Sequence, residues 1–196
     1  MKVIGLTGGI GSGKTTVAKI FEMLDVPIYN SDLRARWIME NNLEIIQQIK
    51  NHFGPLAYDS KHNLNRAFIA KNVFNNPEET QWINDLIHPA VGLDFASWST
   101  NQHAPFIIKE SALLIEVLNH QAVDKIILVV SNEQLRIDRL KKRDQLTLEE
   151  IQKRMKAQLN DEQRSPYADY TIYNLGIQSI IRQTLNIYLN LKELFS

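Results

Sequence analysis

Residues 8–15 read Gly-Gly-Ile-Gly-Ser-Gly-Lys-Thr, a glycine, four residues and then Gly-Lys-Thr, which is the Walker A spacing. No other pattern in the chain limits the possible folds so tightly. Glycines let successive backbone N–H groups converge on phosphate oxygens, because side chains there would block both the dihedrals and the close approach. The loop works only between a strand and a helix, whose N-terminal partial positive charge then faces the phosphates. Both flanks are present: Lys2–Leu6 is a short apolar run and Lys14–Leu24 is amphipathic. A chance glycine-rich turn does not come with those neighbours. The motif predicts a nucleoside triphosphate site built from Gly11, Ser12, Gly13, Lys14, Thr15 and Thr16. Lys14 is expected to reach the β- and γ-phosphates, and Thr15 to offer its hydroxyl to Mg²⁺.

Four further apolar runs, Val26–Tyr29, Phe106–Ile108, Lys125–Val130 and Tyr170–Tyr173, alternate with longer amphipathic stretches. That is the pattern of an α/β protein with a parallel sheet. Roughly 70 residues separate the second run from the third, far more than an ordinary βα connection needs. The segment is helical in period. Ser31 is expected to cap a helix through Leu33, Trp37 and Ile38 that runs on to Phe53, and Pro77-Glu78-Glu79 to start another with Trp82, Ile83, Leu86 and Ile87 on its apolar face. Asp144–Pro166 is highly charged and also helical in period. The expected fold is a single P-loop, three-layer α/β domain over residues 1–196 with a five-stranded parallel sheet. Its core spans 1–30 and 105–196, a helical substrate lobe about 31–104, and an arginine-bearing lid about 144–166.

A chain of 196 residues, 44% hydrophobic and 22% charged, suits one soluble globular unit. With 22 basic and 22 acidic residues the formal net charge is zero, so no global field draws in nucleic acid or an anionic membrane. Any anion site must be local. The absence of cysteine excludes a disulfide framework, a thiolate metal site and a cysteine nucleophile. No run approaches the roughly 18 apolar residues that span a bilayer, and none of signal-peptide length precedes the first motif. The expectation is a cytoplasmic protein without membrane, nucleic-acid or obligate protein partners.

P-loop proteins include GTPases, motor ATPases and small-molecule kinases, so other residues must choose among them. There is no Asn-Lys-x-Asp segment and no Asp-x-x-Gly switch, which disfavours a GTPase. Asp32 lies just past the second strand, at the carboxyl end where parallel sheets bind ligands. A carboxylate there can orient an acceptor hydroxyl and take its proton, or hold the metal through water, or simply favour a helix N-terminus. Arg136, Arg139 and Arg143 form one helical stripe, followed by Arg154 and Arg164. Converging guanidiniums would stabilise the charge that phosphoryl transfer spreads over oxygens, with Arg139 the first choice for a phosphate contact. The bland alternative, a solvated face paired with Glu133, Asp138 and Asp144, applies to one or two of the five.

With these residues in place, the chain resembles the dephospho-coenzyme A kinases along its whole length. Ile4-Gly5-Leu6-Thr7-Gly8-Gly9-Ile10-Gly11-Ser12-Gly13-Lys14-Thr15-Thr16 is close to that family's opening. Asn30-Ser31-Asp32 is similar to its Asp-Ala-Asp, Leu64-Asn65-Arg66 to its Leu-Asp-Arg, Ile87-His88-Pro89 to its Ile-His-Pro, and Leu113-Leu114-Ile115-Glu116 to its Leu-Leu-Phe-Glu. Arg154-Met155-Lys156-Ala157-Gln158 is similar to the lid's Arg-x-x-x-Gln, and Ala168-Asp169 and Asn174-Leu175-Gly176 match segments near the last strand. Asn30 and Asn65 stand where many members carry aspartate, and Glu110-Ser111-Ala112 where a proline is usual before the Leu-Leu pair. The first aspartate of Asp-Ala-Asp is therefore missing as a base, which leaves Asp32.

The resemblance implies ATP- and Mg²⁺-dependent phosphorylation of the ribose 3′-hydroxyl of dephospho-CoA. It also implies that the helical lobe holds dephospho-CoA and that Asn174 lies against adenine, although Asn174 also reads as a turn residue before Gly176. Arg66 and His88 become candidate substrate contacts, beside the plainer readings of a surface charge and a helix interruption with a partly buried imidazole. Glu116 reads as a partner for a lid arginine or as a side chain that simply caps packing, not as catalytic, and Trp37, Trp82 and Trp98 as core. A nucleoside or nucleotide kinase of the same fold is the nearest alternative, and a nucleotide-dependent switch module a more distant one.

Overall fold

The computed structural model describes residues 1–73, 76–117, 122–144 and 147–195. These divide into two compact units, Met1–Asn30 with Gln102–Ser196, and Ser31–Asn101.

The first unit is built on a five-stranded sheet of β1 (Lys2–Thr7), β2 (Ile28–Asn30), β3 (Phe106–Glu110), β4 (Lys125–Val130) and β5 (Tyr170–Tyr173), in the order β2-β3-β1-β4-β5. Every pairing is parallel; Leu6 of β1, for example, lies between Glu110 of β3 and Ile127 of β4. Strands buried on both faces need near-continuous apolar sequence, and β4 and the Phe106–Ile108 part of β3 supply it. On one face Ile4, Leu6, Ile108, Ile127, Val129 and Ile172 pack against Val17, Ala18 and Phe21 of α1 (Lys14–Glu22) and Ile187 and Leu191 of α9 (Ile180–Phe195). A smaller cluster joins Ile137 and Leu140 of α6 (Glu133–Asp144) to Ile151 and Met155 of α7 (Leu148–Lys156), with Ile10 of the glycine-rich loop packed against it.

Two strand ends differ from expectation. β2 starts at Ile28 instead of Val26, because Pro27 has no N–H to donate and contributes only its carbonyl, which accepts from Ile108 N at 2.9 Å. β3 runs past Ile108 through Lys109 and Glu110, both buried, so the sheet carries charged side chains at the carboxyl end of a central strand.

The second unit is helical: α2 (Ser31–Asn41), α3 (Leu43–Phe53), α4 (Arg66–Val73) and α5 (Pro77–Thr100). The single helix expected from Ser31 to Phe53 is split at Asn42, whose side chain accepts from Glu44 N and Ile45 N and so caps α3. Ser31 is the first residue of α2 instead of its cap, and its buried hydroxyl has no hydrogen-bond partner among the described residues. Asn76 caps α5 and Pro77 fills its first turn, where a missing N–H costs nothing. Pro89 does not interrupt the chain as anticipated; it sits inside α5, which continues to Thr100. Arg34 forks onto Asp94, tying α2 to α5, and its guanidinium lies 4.3 Å from the Trp37 ring. Trp37 is 48% exposed, so it is not the core residue its spacing suggested. Trp82 instead stacks on His52 at 3.8 Å, and His52 meets Glu79 at 2.5 Å. Among the described residues, no helix is long and apolar enough to cross a membrane.

Candidate phosphate-binding site

Residues 8–13 connect β1 to α1, and the glycines are there for close approach. Gly13 has φ 104°, and a Cβ on it would collide with the side-chain nitrogen of Asn174. A Cβ on Gly9 would run into the guanidinium of Arg136. Gly13 is also the residue before α1, and being a glycine it offers no side-chain cap to the first-turn N–H groups. An uncapped helix N-terminus behind a glycine-rich loop is what an anion requires. Lys14 is 8% exposed and donates to Gly8 O at 2.9 Å and Gly9 O at 3.5 Å, folded across the loop it belongs to.

The carbonyl side of the loop is occupied by the chain. Arg136 Nε donates to Ile10 O at 2.9 Å. Arg139 Nη1 donates to Gly11 O at 3.1 Å, Ser12 O at 3.3 Å and Ser131 Oγ at 3.0 Å, while its Nη2 reaches Asn174 Oδ1 at 3.1 Å. Asn174 Nδ2 donates to Ser12 O at 2.8 Å. Only a guanidinium has the five forked donors to gather so many acceptors. The arginine stripe of α6 thus divides: Arg136 and Arg139 turn to the loop, and Arg143 pairs with its neighbour Asp144 at 2.7 Å. Burial lowers the Arg136 pKa, the Asp161 charge opposing that shift and the Arg164 charge adding to it.

Arg154 is exposed on α7. Arg164, at the end of α8 (Asp161–Arg164), has no exposed surface and meets Glu116 at 2.5 Å and Asp161 at 3.6 Å. Glu116 Oε1 also accepts from Leu159 N at 3.2 Å, so the pairing anticipated between Glu116 and a lid arginine is made by Arg164.

Glu110, marked in the sequence only as part of a departure from the family pattern and given no role there, ends β3 and is 4% exposed. Its Oε1 accepts from the Thr15 hydroxyl at 3.2 Å and its Oε2 from Asn30 Nδ2 at 2.7 Å. The available signal was a carboxylate directly after an apolar run at the carboxyl end of a strand beside β1. Thr15 and Glu110 together present hard oxygen donors, the set a Mg²⁺ held partly by phosphate and water needs from the protein. Among the described residues no group of three or more His, Cys, Asp or Glu side chains could hold a metal by itself. Lys109 points to the opposite face of β3, where burial lowers its pKa.

The remaining candidates belong to the second unit. Asp32 lies in the first turn of α2. Arg66, its side chain 56% exposed, contacts Glu40 at 3.1 Å. His88 is half-buried on α5; burial lowers its pKa, with Asp85 pulling the other way. Asn65 caps α4 by accepting from Phe68 N at 3.2 Å, a task its carboxamide does as well as an aspartate would.

Comparison with known proteins identifies the family. The family model for dephospho-CoA kinase matches residues 2–179. A dephospho-CoA kinase from Mannheimia succiniciproducens is 36% identical over 172 residues, 88% of this chain and 80% of the relative. One from Staphylococcus epidermidis is 32% identical over 186 residues, 94% of this chain and 92% of the relative. Among solved structures, a Thermus thermophilus protein superposes with a TM-score of 0.85 at 27% identity, covering 96% of each chain.

Proposed function

We propose a role for each of these side chains from one premise, that this chain belongs to the dephospho-CoA kinase family. It phosphorylates dephospho-CoA with ATP, and the acceptor is the ribose 3′-hydroxyl. The observation that carries the assignment is the glycine loop itself: its carbonyls are gathered by Arg136, Arg139 and Asn174, while the helix start behind it has no side-chain cap.

Phosphoryl transfer leaves a protein little covalent chemistry, so positioning and charge stabilisation dominate. Lys14 exchanges the carbonyls of Gly8 and Gly9 for β- and γ-phosphate oxygens. Thr15 and Glu110 hold Mg²⁺, which when bound neutralises charge on the phosphates. Asn30, bonded to Glu110, keeps that carboxylate aimed. Asp32, two residues further on, orients the 3′-hydroxyl and accepts its proton, a task the Asn30 carboxamide cannot perform. Arg139 stabilises the transferring group, through the Gly11 and Ser12 peptides it polarises and by direct contact once phosphate competes for its donors. Asn174 has its amide bonded at both ends to Ser12 and Arg139, so it supports the nucleotide by bracing the loop beside adenine. Arg66 and His88 contact dephospho-CoA, Arg66 through a phosphate. The α7–α8 stretch acts as a lid that excludes water, which would otherwise hydrolyse ATP. The reaction takes place in the cytoplasm.

The test is ADP release with ATP and Mg²⁺ against a panel of acceptors that includes dephospho-CoA, nucleosides and nucleoside monophosphates, with Lys14→Ala as control. Release that depends on dephospho-CoA, with product mapped to the 3′ position and lost by orders of magnitude in the folded control, is the expected result. Preference for a nucleoside or nucleotide moves the chain to the neighbouring kinases, and acceptor-independent hydrolysis makes it a switch.

A further inference from the structure

We propose that Gln158 is a positioning residue for the phosphate loop, holding the backbone N–H of Ile10 and so making the loop's shape depend on where the end of α7 sits. Ile10 lies in the middle of the loop and is fastened in three ways. Its N–H donates to Gln158 Oε1 at 2.8 Å, its carbonyl accepts from Arg136 Nε at 2.9 Å, and its side chain packs against Ile137, Leu140 and Ile151, with Met155 alongside. Gln158 stands just past the C-terminus of α7, whose last turn sends Met155 O to accept from Gln158 N at 3.2 Å. The next residue is fixed as well, since Leu159 N donates to Glu116.

A loop that cradles phosphate does so with backbone N–H groups, and each must face either the ligand or a protein acceptor. Gln158 settles that choice for Ile10 and turns its N–H toward the protein. The loop is then rigid at its tip before nucleotide arrives, which lowers the cost of ordering it on binding. Arg136, from α6, holds the adjacent peptide plane, that of the Ile10 carbonyl, so a displacement of α7 reaches the loop backbone through Gln158 and the Ile10 side chain through its packing on Ile151. The inference rests on the assignment of residues 8–15 as the ATP phosphate loop.

A neutral hydrogen bond is worth about 2- to 12-fold in an equilibrium constant. Gln158→Ala in the full chain should therefore speed amide exchange at Ile10, read by NMR without nucleotide, by at least roughly that factor, and raise the KM for ATP by a similar one. The KM for dephospho-CoA and the urea midpoint stay at wild-type values. Gln158→Glu, which keeps an acceptor oxygen at the same reach, retains slow exchange at Ile10. Unchanged Ile10 exchange in Gln158→Ala overturns the proposal. So does a rise in both KM values together with a lower urea midpoint, the mark of lost packing. Should Gln158→Ala not fold, Gln158→Glu decides alone: Ile10 exchange as fast as in an unstructured peptide overturns the idea. A wild-type protein that failed to bind ATP would instead defeat the loop assignment, and Ile10 exchange would remain readable.

Discussion

Glu110→Gln isolates the least anticipated member of the site. The carboxylate accepts from Thr15 on one oxygen and from Asn30 on the other, at 3.2 and 2.7 Å, and is 4% exposed. Glutamine keeps the shape but supplies one acceptor and one donor. The shorter contact retains the oxygen, so the new amine faces Thr15, and a cation at that place meets a donor where it had a negative oxygen. A hydrogen bond or contact to a charged group is worth about 1.5–3 kcal/mol, which predicts roughly a 10- to 150-fold loss in turnover per substrate bound. The loss should carry a metal signature: in an ADP-release assay at fixed ATP and dephospho-CoA, half-saturating Mg²⁺ rises and turnover at saturation stays depressed. Glu110→Asp, one methylene shorter, falls between. The urea midpoint of each variant separates a site effect from loss of fold. Turnover within twofold of wild type and an unshifted Mg²⁺ requirement in Glu110→Gln would falsify the assignment of Glu110 to the metal.

Asp32→Asn should lower turnover by roughly 10²-fold with ATP affinity nearly intact, the scale of a positioned acid–base group; rescue by added Mg²⁺ would make Asp32 a metal-shell residue, and no loss would make it only a first-turn carboxylate. Arg139→Ala should cut turnover more than it raises the dephospho-CoA KM, because its charge matters most as the phosphoryl group develops negative charge. A change confined to that KM would move Arg139 to acceptor binding. His88 supplies a pH test: its pKa is lowered in the fold, so both states are neutral above the ordinary value of about 6.5, and on acidification the unfolded chain takes the proton first. Wild-type stability is therefore present above that value and is lost as pH falls through it toward the folded value. Urea midpoints between about pH 8 and pH 5 should fall less for His88→Gln than for wild type, and parallel curves refute the buried-neutral reading.

How far the sequence could be read depended on whether a residue's neighbours were local. β1, the loop and α1 were legible because their chemistry is carried by consecutive residues, and the apolar runs located all five strands of the described sheet. The end of β3 was not, since Lys109 and Glu110 break an apolar run and their burial follows from strands distant in sequence. The split at Asn42 turns on a side chain choosing the next helix's N–H groups over its own helix, an option propensity does not reveal. Spacing put Arg136, Arg139 and Arg143 on one stripe, yet the loop lies against only part of it, and Arg143 had a closer partner next door. Gln158 was visible only as a letter in a resemblance, because its hydrogen bond spans most of the chain.

Arg164 has no exposed surface, and its charge is answered by Glu116 and Asp161. Removing one partner of a buried pair strands the other, at a cost of about 3–5 kcal/mol, whereas replacing both with fitted apolar side chains is close to neutral. Measured against a total stability of about 5–15 kcal/mol, the single loss is a fitness valley and the double change is not. A change at 116 or 164 is therefore expected to be tolerated best when the other position changes with it. Recombination that crosses over between them is expected to yield destabilised chimeras where the two parents differ at this pair, readable as lower urea midpoints than in hybrids that take residues 116 to 164 from one parent.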